Sequence, residues 1–281
     1  MSKTRKKLLP LICAIIAVCV LLPYLAATAR GQAPTYNEIP LYVEGIRTGD
    51  CVILKNITYV PLRTFCEVLN GEAQVSWDNA SQTAVAEMPG LVITARVNYL
   101  YFEANGRYFY VPNGIFRYED AVYVPLDALA KAFSAEIIWY DEYKIVDIGT
   151  DHLSPIVSGD DFYDQDDLCL LSRLIYAESG GESLAGMIGT GSVVLNRCAS
   201  PRFPDTLEDV IFQPGQFDPV ALNSINVEPS EKAIIAAKLC MEGYNTVLNS
   251  LFFYNPKIGN STFFVNNCTF VITIGNHDFY V

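Results

Sequence analysis

Histidine is scarce in this sequence, with only His152 and His277 among 281 residues. A zinc or copper centre of the usual kind takes several imidazole ligands close together, and two histidines so far apart in the chain do not supply them. The cysteines contain no C-x-x-C pair, which is the spacing typical of zinc sites. We therefore expect no metal site, and no motif indicates an organic cofactor.

Positive charge is also in short supply, because Lys and Arg number 19 against 31 Asp and Glu, for a net charge of -12. Nucleic acid is bound by a basic stripe of side chains. None is visible, so we exclude nucleic acid as a partner. Hydrophobic residues make up 51% of the chain, which is typical of folded cores and excludes a disordered protein. The length suits one large or two ordinary domains.

The first 30 residues differ in kind from the rest of the chain. A basic start is followed by an apolar run over residues 8–27 and by the small residues Ala-Thr-Ala at 27–29. This order predicts an export signal, so we expect an exported protein. The apolar run is long for a cleaved signal, and a membrane anchor through residues 8–27 is the alternative.

Six cysteines lie beyond this leader, and their state is open. In an oxidising compartment some would be able to pair, each within its own half of the chain. Buried free thiols are the alternative, above all for the two that lie in apolar helical patterns, Cys169 and Cys198. The six are Cys51, Cys66, Cys169, Cys198, Cys240 and Cys268.

Residues 36–149 consist of short runs in which Val, Ile, Tyr and Phe alternate with polar residues, as in half-buried strands. Asn105-Gly106 predicts a hairpin, because both residues tolerate the positive φ of a type I′ turn. Residues 58–78 and 122–141 also resemble each other, and each predicts a strand, a short helix after a proline, and a second strand. We predict a small, duplicated, β-rich α+β domain.

Residues 150–166 are polar and acidic and are interrupted by Ser, Gly and Pro, which predicts a linker before a second domain over residues 167–281. From Asp167 onward apolar residues recur at helical spacing, with Asp166 or Asp167 as the cap. The fold class that we predict is therefore α+β with two domains, the second of them mainly helical.

Glu178 has an unusual position for a charged residue, because it continues the apolar face of this helix, which Gly180-Gly181 then end. A carboxyl group that faces a core or a cleft is costly to ionise. A general acid that works near neutral pH needs such an environment. The alternative is a partly buried glutamate held by a neighbouring Arg or Tyr.

Two further helices are predicted over residues 183–198 and 230–243. The first of them contains Gly186, Gly189 and Gly191. Glycine inside a helix costs roughly 1 kcal/mol relative to alanine, so we expect these three to let another helix approach closely.

The first half of the chain resembles the domain named after the N-terminal stalk of copper amine oxidase. The resemblance rests on "YVPLRTFCEVLNGEAQVSWD" at residues 59–78 and on its echo. It implies a spacer or wall-binding role, with a wall component or another protein as the partner. It does not imply copper, because neither histidine lies in this half.

The second half resembles the spore cortex-lytic, or cell wall hydrolase, family of peptidoglycan-cleaving enzymes. The family's motifs occur here in order, at Ala177–Glu182, Leu195–Arg197, Phe203–Thr206 with Val210–Ile211, Gln216–Phe217, Phe252–Pro256 and Ile274–Phe279. The resemblance implies a lysozyme-like, mainly helical catalytic domain with one essential glutamate, which maps onto Glu178. It also implies peptidoglycan glycan strands as the partner and the cell wall or its exterior as the location, with spore cortex and vegetative wall both open.

The same motifs suggest residues that bind the substrate, each with an alternative role. Glu182 would orient the substrate or cap the next helix. Asn196 and Arg197 would line the groove, although Arg197 would also serve to neutralise a carboxylate. Gln216, Tyr254 and Asn255 carry the groups that hydrogen-bond the acetamido and hydroxyl groups of sugars.

Two aromatic residues and one imidazole complete this set. Phe217 and Tyr254 would stack on sugar faces or belong to the core. His277 would support catalysis or have a structural role. The sequence departs from the family at Asp218, which stands where the family carries a small polar residue, and this adds a further carboxylate.

Glycosidases that hydrolyse normally need two carboxylates at a set separation, whereas lytic transglycosylases use one. The resemblance and the single well-placed glutamate favour a lytic transglycosylase that cleaves between N-acetylmuramic acid and N-acetylglucosamine. The alternatives are an N-acetylmuramidase-type hydrolase, with Glu182 or Asp218 assisting water, and a catalytically inactive wall-binding protein. A cysteine amidase built on Cys268 and His277 is disfavoured, because no helix start activates the thiol.

Overall fold

A computed structural model describes residues 36–217, 224–258 and 262–281. The predicted leader over residues 1–30 lies outside these ranges, and so do Asp218 and the choice between signal and anchor. In the part of the chain that the structure describes, no helix has both the length and the hydropathy of a membrane span.

The β-rich half, residues 37–149, is built from strands and two short helices. The strands are β1 (Asn37–Val43), β2 (Ile46–Leu54), β3 (Ile57–Pro61), β4 (Gln74–Asp78), β5 (Thr83–Met88), β6 (Leu91–Arg96), β7 (Tyr101–Ala104), β8 (Arg107–Tyr110), β9 (Phe116–Tyr118), β10 (Ala121–Pro125), β11 (Glu136–Tyr140) and β12 (Ile145–Gly149). The helices are α1 (Leu62–Leu69) and α2 (Leu126–Phe133).

These strands form a seven-stranded sheet in the order β11-β12-β1-β2-β3-β10-β9 and a five-stranded meander from β4 to β8. Each of the two similar segments forms a strand, a helix that begins directly after a proline, and a second strand, as predicted. The helices α1 and α2 meet through Phe65 and Phe133, whose ring centroids lie 5.6 Å apart. The segments then diverge, because β4 joins the meander and β11 lies at the edge of the larger sheet.

The helical half, residues 159–281, contains six helices, one 3₁₀ turn and three strands among the described residues. The helices are α3 (Gly159–Phe162), α4 (Gln165–Ser179), α5 (Leu184–Cys198), α6 (Leu207–Ile211), α7 (Glu231–Met241) and α8 (Thr262–Asn267), with the 3₁₀ turn at Ser224–Asn226. The strands β13 (Phe252–Tyr254), β14 (Phe270–Ile274) and β15 (His277–Tyr280) form a small antiparallel sheet in the order β13-β15-β14.

The predicted cap of helix α4 is wrong by two or three residues. Asp164 has extended backbone angles, and its carboxylate accepts hydrogen bonds from the amides of Asp166 and Asp167. It is therefore the N-cap, while Asp166 and Asp167 belong to the first turn. The sequence pattern did not distinguish among these aspartates, because each is able to cap a helix.

Two of the three glycines of helix α5 serve close packing. A Cβ atom at Gly191 would lie 2.7 Å from Sγ of Cys240 in α7 and 2.8 Å from Cδ1 of Ile175 in α4. This glycine therefore allows both neighbouring helices to approach, as predicted. A Cβ atom at Gly189 would lie 2.9 Å from the ring of Phe279, so that glycine admits strand β15 instead of a helix.

The two halves share a contact, and residues 38–281 form one compact unit. The hairpin of β7 and β8 turns at Asn105 and Gly106, both with positive φ as predicted, and it packs against helix α7. Lys238 of α7 donates a hydrogen bond from Nζ to the carbonyl oxygen of Gly106, at 3.2 Å. The predicted linker therefore connects halves that are already in contact.

The segment predicted as the linker also touches this hairpin. The amide of Gly159 donates to the carbonyl oxygen of Asn105 at 2.8 Å, and Nδ2 of Asn105 donates to the carbonyl oxygen of Ile156 at 3.2 Å. Residues 150–166 thus include the helical turn α3, which is fixed to the β-rich half. The exact domain boundaries stay a prediction.

All six cysteines in the described residues are free thiols. Cys51, Cys66 and Cys240 are buried, and burial raises the pKa of each thiol to about 12. Cys169 is a free thiol, as one of the two alternatives held, but it is exposed and not buried.

Candidate active site

A cleft of about 450 Å³ opens in the helical half, where the end of helix α4, helix α5 and the small sheet meet. Its walls include both glutamates of the "AESGGE" segment. The residues that line it are Glu178, Ser179, Gly181, Glu182, Arg197, Gln216, Phe217, Phe253, Tyr254, Asn255, Ile258 and His277. Eight of the nine residues predicted from the sequence are therefore brought together here.

Glu178 lies one residue before the end of helix α4 and is half-buried in the cleft wall. The turns before it pack into the core through Leu171, Leu174 and Ile175, which are fully buried. The apolar face thus anchors the helix, and its last turn carries the carboxyl group into the cleft. The position agrees with the sequence pattern, while a catalytic role for Glu178 stays a prediction.

Arg197 is the buried cation of the cleft, with a residue exposure of 4%. Its Nε donates to the carbonyl oxygen of Leu251 at 2.8 Å. Its guanidinium carbon lies 4.9 Å from the ring centres of Phe203 and Phe217 and 5.5 Å from that of Phe252. Such cation–π contacts hold a guanidinium in place without neutralising it.

The charge of Arg197 acts on the carboxyl group of Glu178. Burial lowers the pKa of Arg197 to about 10, and the charge of Glu178 opposes this shift. Arg197 therefore stays protonated at neutral pH, and its charge favours the ionised form of Glu178. Among the described residues, Nη1 of Arg197 has no hydrogen-bond partner. The two predicted roles are thus both compatible with its position, since it lines the cleft and also faces a carboxylate.

Glu182 lies in the loop between α4 and α5, and its carboxylate contacts the turn between β14 and β15. Oε1 accepts a hydrogen bond from Nδ2 of Asn276 at 2.8 Å, and Oε2 accepts one from the backbone amide of Asn276 at 3.2 Å. Burial alone would raise the pKa of Glu182, but the bonds from Asn276 and the charges of His277 and Lys257 lower it overall.

The suggestion that Glu182 caps the next helix is wrong. The side-chain oxygen of Ser183 accepts a hydrogen bond from the amide of Gly186, and Ser183 is therefore the N-cap of α5. The carboxylate of Glu182 points instead to a segment 94 residues away in the chain. The alternative role, orientation of the substrate, stays a prediction.

His277 begins strand β15 and is 7% exposed, with its ring edge-on to that of Phe253 at 5.4 Å between centres. Burial lowers the pKa of His277, and the charge of Glu182 opposes this shift. Its Nδ1 has no hydrogen-bond partner within the described residues. His277 is thus a buried imidazole in the wall of the cleft, and the structure is compatible with both of its predicted roles.

The aromatic residues of the cleft differ in their exposure. Phe217 is 4% exposed and packs in the hydrophobic core beneath Arg197, which favours the core interpretation over sugar stacking. Tyr254 is half-buried and stacks on Phe264, with centroids 4.8 Å apart and planes 6° apart. Gln216 and Asn255 are half-buried in the same walls and carry amide groups that can bind sugars.

Asn196 is the predicted site residue that the structure does not bring to the cleft. Its Nδ2 donates to the carbonyl oxygens of Leu248 and Ser250, at 2.8 and 2.9 Å, and its Oδ1 accepts from Asn245 at 3.0 Å. These bonds hold the loop before β13 against helix α5. Asn196 stood beside Arg197 in the motif, but successive helical residues point in different directions.

Several cleft residues were missed by the sequence interpretation, among them Phe253, Ile258 and Ser179. Asn276, which donates to the cleft residue Glu182, and Lys257, which donates to Asn276, were missed as well. Nζ of Lys257 donates to Oδ1 of Asn276 at 2.9 Å. The "IGNHDF" motif contains Asn276, but its contact with Glu182 joins distant parts of the chain and no local pattern reveals it.

A metal site is not indicated by the arrangement of side chains. In the ranges that the structure covers, no three His, Cys, Asp or Glu residues lie together in a way that would hold a metal ion.

Comparison with protein families matches both halves of the chain. Residues 181–280 match the family described as Cell Wall Hydrolase, and residues 48–148 match the copper amine oxidase N-terminal domain. The first match begins three residues after Glu178 and includes Glu182, Arg197 and His277.

Similar proteins include the spore cortex-lytic enzymes of Oceanobacillus iheyensis, 36% identical over 108 residues, and of Bacillus subtilis, 33% identical over 99 residues. These alignments cover 38% and 35% of this chain and 39% and 32% of the relatives. The chain thus spans less than half the length of the curated relatives that it matches.

A solved structure, the catalytic domain of the germination-specific lytic transglycosylase SleB from Bacillus anthracis, is 32% identical. The match covers 45% of this chain and the whole of that chain, with a TM-score of 0.40. By its family matches, the chain carries a cell wall hydrolase domain in its second half and a copper amine oxidase N-terminal domain in its first half.

Proposed function

We propose that this chain cleaves the glycan strands of peptidoglycan as a lytic transglycosylase, with Glu178 as the acid and then the base. The observation that carries the proposal is the half-buried position of Glu178 in a cleft that also presents the amide groups of Gln216 and Asn255 and the phenol of Tyr254. Such groups bind the hydroxyl and acetamido groups of sugars.

The family match and the names of the relatives support the choice of substrate. The matching family is described as cell wall hydrolases, and the relatives are named spore cortex-lytic enzymes. A cell-wall substrate agrees with the export signal predicted at residues 1–30. We also infer from the family resemblance that the helical half is lysozyme-like. The β-rich half would act as a spacer or bind the wall.

In the first step, Glu178 donates its proton to the glycosidic oxygen between N-acetylmuramic acid and N-acetylglucosamine. The bond from C1 of the muramyl residue to this oxygen breaks, and N-acetylglucosamine leaves with a hydroxyl group. Positive charge then develops at C1 and the ring oxygen of the muramyl residue. Partial burial disfavours the charged form of a carboxyl group, which suits the group to such donation, while the charge of Arg197 acts in the opposite direction.

In the second step, the ionised Glu178 accepts the proton of the C6 hydroxyl of the same muramyl residue. The C6 oxygen attacks C1 and closes a 1,6-anhydro ring. Glu178 is thereby protonated again, and no water is consumed. The buried charge of Arg197 favours the ionised form of Glu178 that this step requires. One carboxylate is then sufficient, whereas hydrolysis requires a second one or its equivalent.

The proposal is tested by incubating the full chain with purified peptidoglycan in water enriched in ¹⁸O and analysing the soluble fragments by mass spectrometry. Fragments that end in 1,6-anhydromuramic acid, without ¹⁸O, are the expected product. Glu178→Gln should lower their release by roughly 10²- to 10⁴-fold, the usual contribution of a general acid or base. Glu208→Gln is the matched control, because Glu208 is an exposed glutamate of helix α6 outside the cleft.

Other outcomes separate the alternatives. Reducing ends that contain one ¹⁸O would mean hydrolysis, with Glu182 or Asp218 assisting water. If neither the unmodified chain nor Glu178→Gln releases fragments from cortex or vegetative walls, while both still bind the wall, the chain is a binding protein without catalytic activity.

A further inference from the structure

The second glutamate of the cleft has contacts that differ from those expected of a catalytic carboxylate. Both oxygens of Glu182 accept hydrogen bonds from a single residue, Asn276, through its side chain and its backbone amide. Asn276 lies in the turn between β14 and β15, directly before His277. Glu182 is therefore attached to the segment that presents the cleft's imidazole.

The backbone of this turn is adapted to the carboxylate. Gly275 has a φ of +62°, a conformation that side chains other than glycine rarely adopt. A Cβ atom at this position would overlap Oε2 of Glu182. Both the conformation and the close approach require glycine, so the turn and the carboxylate fit each other as one unit.

The contact extends to two further elements. Oδ1 of Asn276 accepts a hydrogen bond from Nζ of Lys257, which follows the cleft residues Tyr254 and Asn255. Nζ of Lys232, in helix α7, donates to the backbone oxygen of Glu182 at 2.7 Å. Glu182 and Asn276 thus connect the α4–α5 loop with helix α7, the β14–β15 turn and the segment after β13.

We propose that Glu182 is a positioning residue, which holds the β14–β15 turn so that His277 forms one wall of the cleft, and that it takes no part in bond cleavage. This inference rests on the proposed function, and it makes Glu178 the one glutamate of the cleft that transfers protons. The hydrogen bonds from Asn276 also favour an ionised carboxylate at Glu182, which suits an acceptor and not a proton donor.

The test moves the negative charge from one partner to the other. Glu182→Gln removes one of the two carboxylate oxygens that accept hydrogen bonds from Asn276. Asn276→Asp alone places a second carboxylate next to that of Glu182, so the two repel each other. In the double variant, the new amide at position 182 can donate to the new carboxylate at position 276, and its oxygen can accept from the backbone amide there. Lys257 still faces an acceptor. A residue that only positions the turn should tolerate this exchange, whereas a catalytic carboxylate should not.

We expect Glu182→Gln to release anhydro fragments roughly 10- to 100-fold more slowly, because small displacements in a site have effects of this size. The double variant should recover to within about threefold of the unmodified chain. Recovery of amide protection in residues 275–277, measured by hydrogen exchange, should accompany it. A double variant with a protected turn and no recovered activity would overturn the proposal, because the charge at position 182 itself would then be needed.

The hydrogen-exchange measurement separates this proposal from the proposed function. If the unmodified chain releases no fragments from any wall, the proposed function is wrong, yet the exchange data still decide whether Glu182 holds the turn. Unchanged protection of residues 275–277 in Glu182→Gln would contradict the positioning role whatever the activity. Melting temperatures of the unmodified chain and of each variant show whether the variants remain folded.

Discussion

Two largely buried arginines lie in different regions of this molecule, Arg107 at the contact between the halves and Arg197 in the cleft. Nε and Nη2 of Arg107 donate to both oxygens of the Glu242 carboxylate, at 2.7 and 2.6 Å. The hydroxyl of Tyr163 donates to the same carboxylate at 2.7 Å. Arg197 instead donates to one carbonyl oxygen, lies against three aromatic rings and faces the charge of Glu178, and its Nη1 atom has no hydrogen-bond partner in the described residues.

The two regions differ in how completely their buried charges are paired. Buried charges are normally paired and hydrogen-bonded, since leaving them unpaired lowers stability. At the contact between the halves this rule is obeyed, and the ion pair fixes the hairpin of β7 and β8 to helix α7. In the cleft, Arg197 and His277 each keep a buried nitrogen for which the described residues offer no partner. Incomplete pairing of this kind agrees with the active site that we propose in the cleft.

The largest expected effect comes from breaking the complete pair. Arg107→Met leaves the Glu242 carboxylate, 4% exposed, without its cation. We expect the free energy of unfolding to fall by about 3–5 kcal/mol, as measured by urea denaturation. The exposed pair of Arg47 and Asp50 provides the control, because Arg47→Met should cost less than about 1 kcal/mol. Equal, small losses for Arg107→Met and Arg47→Met would mean that the buried pair of Arg107 and Glu242 contributes no more to stability than an exposed pair.

The same substitution in the cleft should affect stability much less. Arg197→Met replaces the guanidinium with an apolar chain that fits among three aromatic rings. It leaves the carbonyl oxygen of Leu251 without its donor and removes the charge that faces the half-buried Glu178. We expect a loss of about 1 kcal/mol or less in urea denaturation. Release of glycan fragments should nevertheless fall by about tenfold or more, because the buried charge beside Glu178 is lost. A loss of stability as large as that of Arg107→Met would mean that Arg197 is primarily structural.

The smallest expected effect is the pH dependence that His277 confers. Burial holds its pKa in the folded protein below its ordinary value of 6.5, against the charge of Glu182. At a pH between the lowered pKa of His277 in the folded protein and 6.5, the unfolded chain binds more protons than the folded one. The contribution of His277 to stability is therefore fully present above pH 6.5 and is lost as the pH falls below it. His277→Gln should flatten the stability measured by urea denaturation from about pH 7.5 to about pH 5.5.

The second histidine of the chain provides the control for this measurement. His152 is exposed, so His152→Gln should leave the pH dependence of the unmodified chain in place. If His277→Gln also leaves the pH dependence of stability unchanged, burial does not hold the imidazole of His277 in its neutral form. His277 would then not be comparable with Arg197 as an incompletely paired group.

Local sequence patterns were sufficient for much of the architecture. Alternation over residues 36–149 predicted strands, Asn105-Gly106 predicted the hairpin turn, and helical periodicity predicted α4, α5 and α7. These features follow from near neighbours in the chain, through backbone preference and the burial of one face. The apolar period also predicted that Glu178 would end a buried helix face. The order of the motifs indicated the family, and these motifs contain most of the residues that line the cleft.

Which polar groups meet was not predictable in this way. The partners of Glu182, Arg197 and Arg107 lie 94, 54 and 135 residues away, and hydrogen bonds over such separations leave no periodic trace in the sequence. Asn196 and Arg197 are neighbours in one motif, yet packing turns the first toward a loop and the second into the cleft. Local pattern was enough for the strands of the first half, for helices α4, α5 and α7, for the family resemblance and for the position of Glu178, because each depends on residues close together in the chain. It did not predict helices α3 and α6 or the small sheet of β13, β14 and β15. The satisfaction of each buried charge depends instead on how distant elements pack, so it is a property of the folded chain alone.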